Sequence, residues 1–276
     1  MFNTDGLDQA KDDFKNQRFC VIDNIIQEPW ISDLYKCLPT MNMGYWMCAE
    51  GEHHRVSQEM AKTMDLAAYK SYHKNRSLQT FGYWHRAKWL LKEEDYIELD
   101  HPRTIEFSRV ITEDYSLIKP DYTFHDLASD VTGFTNMFTT EPSYSAYDHE
   151  SWLNPHHDPR RWCAYIFYFN PDWKAHWGGQ LCLMNEDEQT IKHSIEPFGN
   201  RLVLMDVSDT TGHRQNKHFI SSVSYLAPYP RYSLAGWFYP KDQHETVPTI
   251  DATAIERRRR ETELPSLPTS ISNDGT

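Results

Sequence analysis

The stretch RRWCAYIFYFNPDWKAHWGGQLCL, Arg160 to Leu183, carries two short apolar and aromatic runs, WCAYIFYFN and GGQLCL. Asn170-Pro171 and Gly178-Gly179 punctuate it, dipeptides that turns use. Working outward, the same pattern recurs. MFTTEPSYSAYD and SWLNPHHD precede it, and SIEPF, RLVLMDV, HFISSVSYL and RYSLAGWFY follow. Further turn signals stand at Gly199-Asn200 and at Ala227-Pro228-Tyr229-Pro230. Strands about ten residues apart over about a hundred residues argue for an antiparallel sandwich or barrel.

Upstream of Asn136 the reading is more helical. RFCVIDNII (Arg18 to Ile26) is a strand, and PWISDLYKCL places Trp30, Leu34, Tyr35 and Leu38 on one helical face. HHRVSQEMAKTMDLAAYKSYHKN reads as helical. GYWHRAKWLLKEEDYIEL reads as amphipathic, with Tyr83, Trp84, Ala87, Leu90 and Leu91 at helical spacing. A loop-and-helix stretch joins Lys119 to Met137. Helices followed by strands make an α+β chain. The expected organisation is one unit over 1–240, helix-rich and lid-forming over 1–135 with the strand core over 136–240. The polar 241–276 segment reads as a tail, and its Arg257–Arg260 run as a solvated helix face flanked by Glu256 and Glu261.

The chain has 276 residues, 39% hydrophobic and 25% charged, as a globular protein has. Its net charge of −12 disfavours nucleic acid, whose phosphates call for a basic surface. No apolar run reaches the roughly 20 residues that span a bilayer, and the polar, acidic N-terminus lacks a signal-peptide core. The five cysteines are odd in number and scattered, so free thiols and a cytoplasmic location are expected. Fourteen histidines and 14% aromatics are the numbers that imidazole ligands and aromatic-lined pockets would raise.

Chemistry concentrates at Asn154-Pro155-His156-His157-Asp158. On a strand, residues i and i+2 share a face, so His156 and Asp158 point together while His157 points away. A third ligand has to come from a distant strand. His218 opens HFISSVSYL and suits this better than His213, which stands in the polar loop TTGHRQNKH. Two histidines and one carboxylate on one face of an octahedron leave positions for a chelating co-substrate and O2, the non-haem Fe(II) arrangement. Arg231, at the start of the next strand, can grip a carboxylate bidentately if buried. The bland alternative is a surface salt bridge. Tyr147, on the strand before His156, either shares that carboxylate or packs in the core. His53, His54, His73, His101 and His244 fall in polar stretches and read as solvated, whereas His85, His125 and His176 are within reach of a pocket rim.

These linked segments, from SAYDHESWLNPHHD to RYSLAGWFY, resemble the 2-oxoglutarate- and Fe(II)-dependent dioxygenases of the prolyl-hydroxylase-like branch. The similarity is greatest to the catalytic domain of enzymes that hydroxylate a ribosomal-protein prolyl residue. The resemblance implies a double-stranded β-helix (jelly-roll, cupin-like) core with supporting N-terminal helices. It implies His156, Asp158 and His218 as iron ligands and Arg231, assisted by Tyr147, as the partner of the 2-oxoglutarate C5 carboxylate. Tyr165 to Phe169 would line the co-substrate pocket. Fe(II), 2-oxoglutarate and O2 are the implied cofactors, with ascorbate as an auxiliary. The implied reaction decarboxylates 2-oxoglutarate to succinate and hydroxylates a C–H bond. Halogenation is not expected, because related halogenases carry a small residue where Asp158 stands.

For the substrate, a prolyl residue of a peptide or protein comes first and a free small molecule second, with a non-catalytic binding barrel a distant third. Tyr45, Trp46, Tyr83, Trp84 and Trp89 are candidates to grip it, against the alternative that they pack helices. The net charge favours a basic peptide by long-range attraction.

Overall fold

A computed structural model describes residues 1–78, 80–90, 95, 99, 101–112, 121–208 and 217–241. Twelve antiparallel strands among them form one curled sheet. In chain order the elements are α1 (Leu7–Gln17), β1 (Phe19–Asp23), α2 (Trp30–Cys37), β2 (Gly44–Ala49) and β3 (Glu52–Val56). Next come α3 (Gln58–Thr63), α4 (Leu66–Arg76), β4 (Gly82–Trp89), α5 (Pro102–Ile111) and α6 (Phe124–Thr132). The remaining strands are β5 (Met137–Tyr147), β6 (Trp152–His156), β7 (Cys163–Tyr168), β8 (Leu181–Met184), β9 (Ile191–Ile195), β10 (Arg201–Asp206), β11 (His218–Ile220) and β12 (Arg231–Pro240). Neighbouring strands run β1-β10-β7-β12-β5-β4-β6-β11-β8-β9, and β2 carries β3 beside β4.

Both faces of the central strands are covered, which is why β7 is buried at every position. Tyr165 and Phe167 face the helices, packing with Phe14, Leu34, Phe107 and Phe124. Ala164, Ile166 and Tyr168 face inward and meet Leu181 and Leu183 of β8 and Ile195 of β9. The sheet therefore folds over itself, with the second core between its layers. Local chemistry fixes the helix ends: Thr123 and Asp126 form a reciprocal capping box at the start of α6, and Gly133 closes it at φ 73°.

Two segments depart from the helical reading. HHRV belongs to β3, with the helices α3 and α4 only after it. GYWHRAKW is β4, where Tyr83 and His85 line a cavity while Trp84, on the opposite face, packs with Met47, Val56 and Tyr69. Because both faces of β4 bury aromatic or aliphatic groups, no polar–apolar alternation marks it as a strand, and its apolar positions fall by coincidence at helical spacing. Strands β1 to β4 thus extend the core sheet into the half expected to be mostly helical. Residues 91–94 and 96–98 of that segment, Leu91 among them, with His213, His244 and the Arg257–Arg260 run, lie outside the described residues.

Candidate active site

The ends of β6 and β11 bring the first three groups together. His218 stands opposite His156 in the ladder, and their rings are 4.3 Å apart. Asp158 follows two residues after His156, with Oδ1 3.8 Å from His156 Nε2 and Oδ2 3.5 Å from His218 Nε2. One ligand atom from each residue lies within 4.8 Å of the others. This is the only such His/Cys/Asp/Glu group among the described residues. His157 turns away, toward Glu188 at 3.4 Å.

Each member is oriented by a second group. The His156 Nδ1–H donates to the Asn154 carbonyl at 2.9 Å, so its Nε2 lone pair faces the cluster. Asp158 accepts from Arg161 Nη1 at 3.0 Å through Oδ1 and from Trp237 Nε1 at 2.8 Å through Oδ2. Burial, with His218 adjacent, holds the His156 imidazole neutral by pushing its pKa down. Burial raises the Asp158 carboxyl, but His218, His156, Arg161 and the Trp237 hydrogen bond outweigh it and leave it below the usual carboxylate range. A neutral imidazole and an ionised carboxylate are the protonation states a divalent metal requires.

Beside the triad lies a chamber of about 80 Å³, walled by Arg231, Ser233 and Tyr147. Arg231 is 1% exposed. Its guanidinium lies between the Tyr147 ring at 5.0 Å and the Tyr168 ring at 4.7 Å, and Nη1 donates to Ser233 Oγ at 3.1 Å. Nε has no partner, and among the described residues no carboxylate pairs with the group. A buried cation without a counter-charge is costly, and a carboxylate ligand relieves that cost. The residues present therefore fit both Fe(II) and a dicarboxylate. Burial also raises the Tyr147 hydroxyl, keeping it a neutral donor.

Gly178 and Gly179 make this packing possible. Both have positive φ, 74° and 73°. A Cβ on Gly179 would stand 3.2 Å from Arg231 Cδ, and Trp173 closes the turn by donating from Nε1 to the Gly178 carbonyl at 3.0 Å.

Tyr165 is among the residues that line the Arg231 chamber, while its side chain packs on the helix side of β7. Its ring packs against Phe124 at 5.0 Å and Phe238 at 5.2 Å, and its hydroxyl meets Thr139 Oγ1 at 2.9 Å. It faces the helices, and strand alternation turns its neighbours Ala164, Ile166 and Tyr168 inward instead. Arg161 and Trp237 were not anticipated, whereas Tyr168 falls in the Tyr165 to Phe169 stretch expected at the co-substrate pocket. Trp237 was within reach, because Ser233, Ala235 and Trp237 share the Arg231 face of β12 by alternation.

A second cavity, of about 450 Å³, opens over the triad. Trp46, Tyr83, His85, Trp89 and Trp237 contribute to its walls, whereas Trp84 packs behind the strand and Tyr45 packs against that cluster. Three histidines expected in solvent are inside. His73 is fully buried, His53 and His54 line the cavity, and His53 Nδ1 meets the Tyr83 hydroxyl at 2.9 Å. His125 is buried against Phe238 rather than at the rim.

Residues 142–239 match the profile of the 2OG-Fe(II) oxygenase superfamily. This match supports a 2-oxoglutarate-dependent dioxygenase domain over these residues, of a superfamily that uses Fe(II), 2-oxoglutarate and O2. Solved structures share the fold at low identity. A Pseudomonas putida prolyl-4-hydroxylase is 14% identical with a TM-score of 0.51, covering 85% of this chain and 98% of its own. A Trichoplax adhaerens prolyl hydroxylase, solved with a hypoxia inducible factor oxygen degradation domain peptide fragment, is 16% identical with a TM-score of 0.54, covering 87% and 92%. A Burkholderia pseudomallei oxidoreductase of the 2OG-Fe(II) oxygenase family is 9% identical with a TM-score of 0.52, covering 87% and 93%.

Proposed function

We propose that the protein hydroxylates a prolyl residue of a peptide or protein, with residues 1–240 acting as one unit. The observation that carries the co-substrate half of this reading is Arg231, a buried guanidinium beside the triad without a counter-ion among the described residues. His156, Asp158 and His218 would hold Fe(II), and Arg231 with Tyr147 would hold the distal carboxylate of 2-oxoglutarate. The bound pair supplies the oxidation that converts 2-oxoglutarate and O2 to succinate and CO2 and places one oxygen atom on a C–H bond.

The protein's own part is positional. Arg161 and Trp237 keep the Asp158 carboxylate aimed at the metal, and Asn154 fixes the His156 tautomer. Tyr147 and Tyr168 hold the Arg231 plane in place. The aromatic cavity excludes water and offers flat faces on which a pyrrolidine ring packs.

Two of the fold relatives are prolyl hydroxylases, which supports the prolyl reading. A free small molecule is the second reading, favoured by a cavity whose 450 Å³ suits a single small ligand. A basic substrate finds no support at the mouth: the described walls carry Arg55 and Arg161 against the one carboxylate Asp158. Five free, buried cysteines suit a reducing cytoplasm, and no described helix is long and apolar enough to cross a membrane.

Anaerobic calorimetry of the Fe(II)-loaded protein with 2-oxoglutarate, followed by succinate release on admitting air, tests the co-substrate half. Micromolar binding with slow uncoupled succinate formation is expected. Acceleration by prolyl peptides supports the substrate assignment, and acceleration only by free amino acids or other small molecules replaces it.

A further inference from the structure

His85 stands in β4 where the two cavities meet, and nothing in the triad or the Arg231 chamber uses it. It is 8% exposed and stacks on Tyr147, with ring centroids 4.7 Å apart and planes 14° apart. Its Nδ1 is sealed from solvent without a hydrogen-bond partner, while Nε2 is not so sealed. His85 lines the larger cavity and is absent from the walls of the Arg231 chamber. It therefore faces the substrate side, among Trp46, Tyr83 and Trp89.

The tautomer follows from the sealed nitrogen. An N–H buried without an acceptor loses more than a lone pair buried without a donor. The proton then belongs on Nε2, which donates into the cavity. Protonation of the ring is disfavoured by burial and by Arg231, with Asp148 opposing, and its pKa falls to about 3. The ring is thus a neutral donor of fixed direction, clamped by its stack on Tyr147.

We infer that His85 is the substrate anchor of this site, its Nε2–H donating to a carbonyl or carboxylate oxygen held a few bonds from the C–H that is hydroxylated. This rests on the hydroxylase reading above and narrows its substrate class to compounds bearing such an oxygen. A prolyl amide and a free amino acid both qualify, and a plain hydrocarbon or amine does not. A buried donor in an otherwise aromatic cavity rejects ligands that leave it unpaired, as polar sites do in general.

The test combines histidine 15N NMR and turnover, on the full chain loaded with Zn(II) and 2-oxoglutarate for NMR and with Fe(II) for turnover. His85→Phe assigns the His85 resonances and keeps an aromatic ring on Tyr147. The Nε2–H tautomer should persist from pH 8 to pH 5. N-acetyl-L-prolinamide and free L-proline should each shift the Nε2 resonance, and whichever is hydroxylated should lose at least tenfold in kcat/KM in His85→Phe. His85→Gln, which restores a donor, should recover part of that loss. The calorimetric Kd for 2-oxoglutarate should stay within threefold of wild type in both variants, separating a substrate role from one in the Arg231 chamber.

An Nδ1–H tautomer, or unchanged kcat/KM in His85→Phe, overturns the inference. If neither prolyl probe binds or accelerates succinate release, the prolyl reading fails by itself. N-methylacetamide and acetate then decide His85: a shift of Nε2 by either sustains the anchor, and silence from both overturns it.

Discussion

Trp237 Nε1 donates to Asp158 Oδ2 at 2.8 Å, joining the far end of β12 to the carboxylate that follows β6. Arg161 Nη1 takes the other oxygen at 3.0 Å, and its guanidinium lies 4.1 Å from the Trp237 ring. The carboxylate is thereby fixed before any metal arrives. Trp237→Phe removes the donor while keeping an aromatic body. Fe(II) affinity should fall about 10- to 100-fold, the usual cost of losing such an outer partner. Mn(II) titration of the protein measures it, and an unchanged affinity would show that the hydrogen bond does not orient Asp158.

His156→Ala and Asp158→Ala should each abolish Fe(II)-dependent succinate formation, while circular dichroism stays native. Full turnover in either variant would remove that residue from the ligand set.

Arg231→Met tests the uncompensated cation. The apparent KM for 2-oxoglutarate should rise at least 100-fold, because a buried pair that loses one partner costs about 3–5 kcal/mol. The melting temperature without 2-oxoglutarate should hold or rise, because in the free protein the substitution removes a buried charge that lacks a counter-ion among the described residues. A KM that does not move would place the carboxylate elsewhere.

Tyr165→Phe separates the two faces of β7. It removes the hydroxyl that meets Thr139 and should cost about 1 kcal/mol of stability, a typical hydrogen-bond value. The 2-oxoglutarate affinity should not change. A tenfold weaker co-substrate would show that the Tyr165 hydroxyl acts on the chamber it borders.

His73 gives the fold an acid limit. It is fully buried beside Tyr69 and Trp84, neither ring nitrogen has a partner among the described residues, and burial first and then His54 push its pKa to about 4. In the unfolded chain it titrates near 6.5. The folded state therefore disfavours the proton. The stability tied to neutral His73 is complete above pH 6.5 and is lost as pH falls toward 4. Urea midpoints at pH 7.5 and 5 should show this, and His73→Phe should flatten the difference by about 1–2 kcal/mol. An unaltered slope would assign the acid sensitivity to other groups.

The sequence by itself determined the strand-rich second half and the metal cluster, for a physical reason. Alternation puts His156 and Asp158 on one face, and His218 and Arg231 begin strands that turn signals delimit. The shared face of His156 and Asp158 and the strand starts are local, so spacing carries them, whereas the assignment of His218 to the cluster came from the resemblance. The tertiary structure alone decided that β2, β3 and β4 extend the sheet. Burial on both faces erases the period that would mark β4, and only pairing with β2, β5 and β6 reveals it. The same parity sorts aromatics that spacing left together, sending Tyr83 and His85 into the cavity and Trp84 behind it. Tyr165 shows what spacing leaves open, because it borders the chamber while its ring and hydroxyl pack on the helix side of β7. The Trp237 partner of Asp158 and the place of His85 were settled by contacts between residues about eighty or sixty positions apart, which no local pattern encodes.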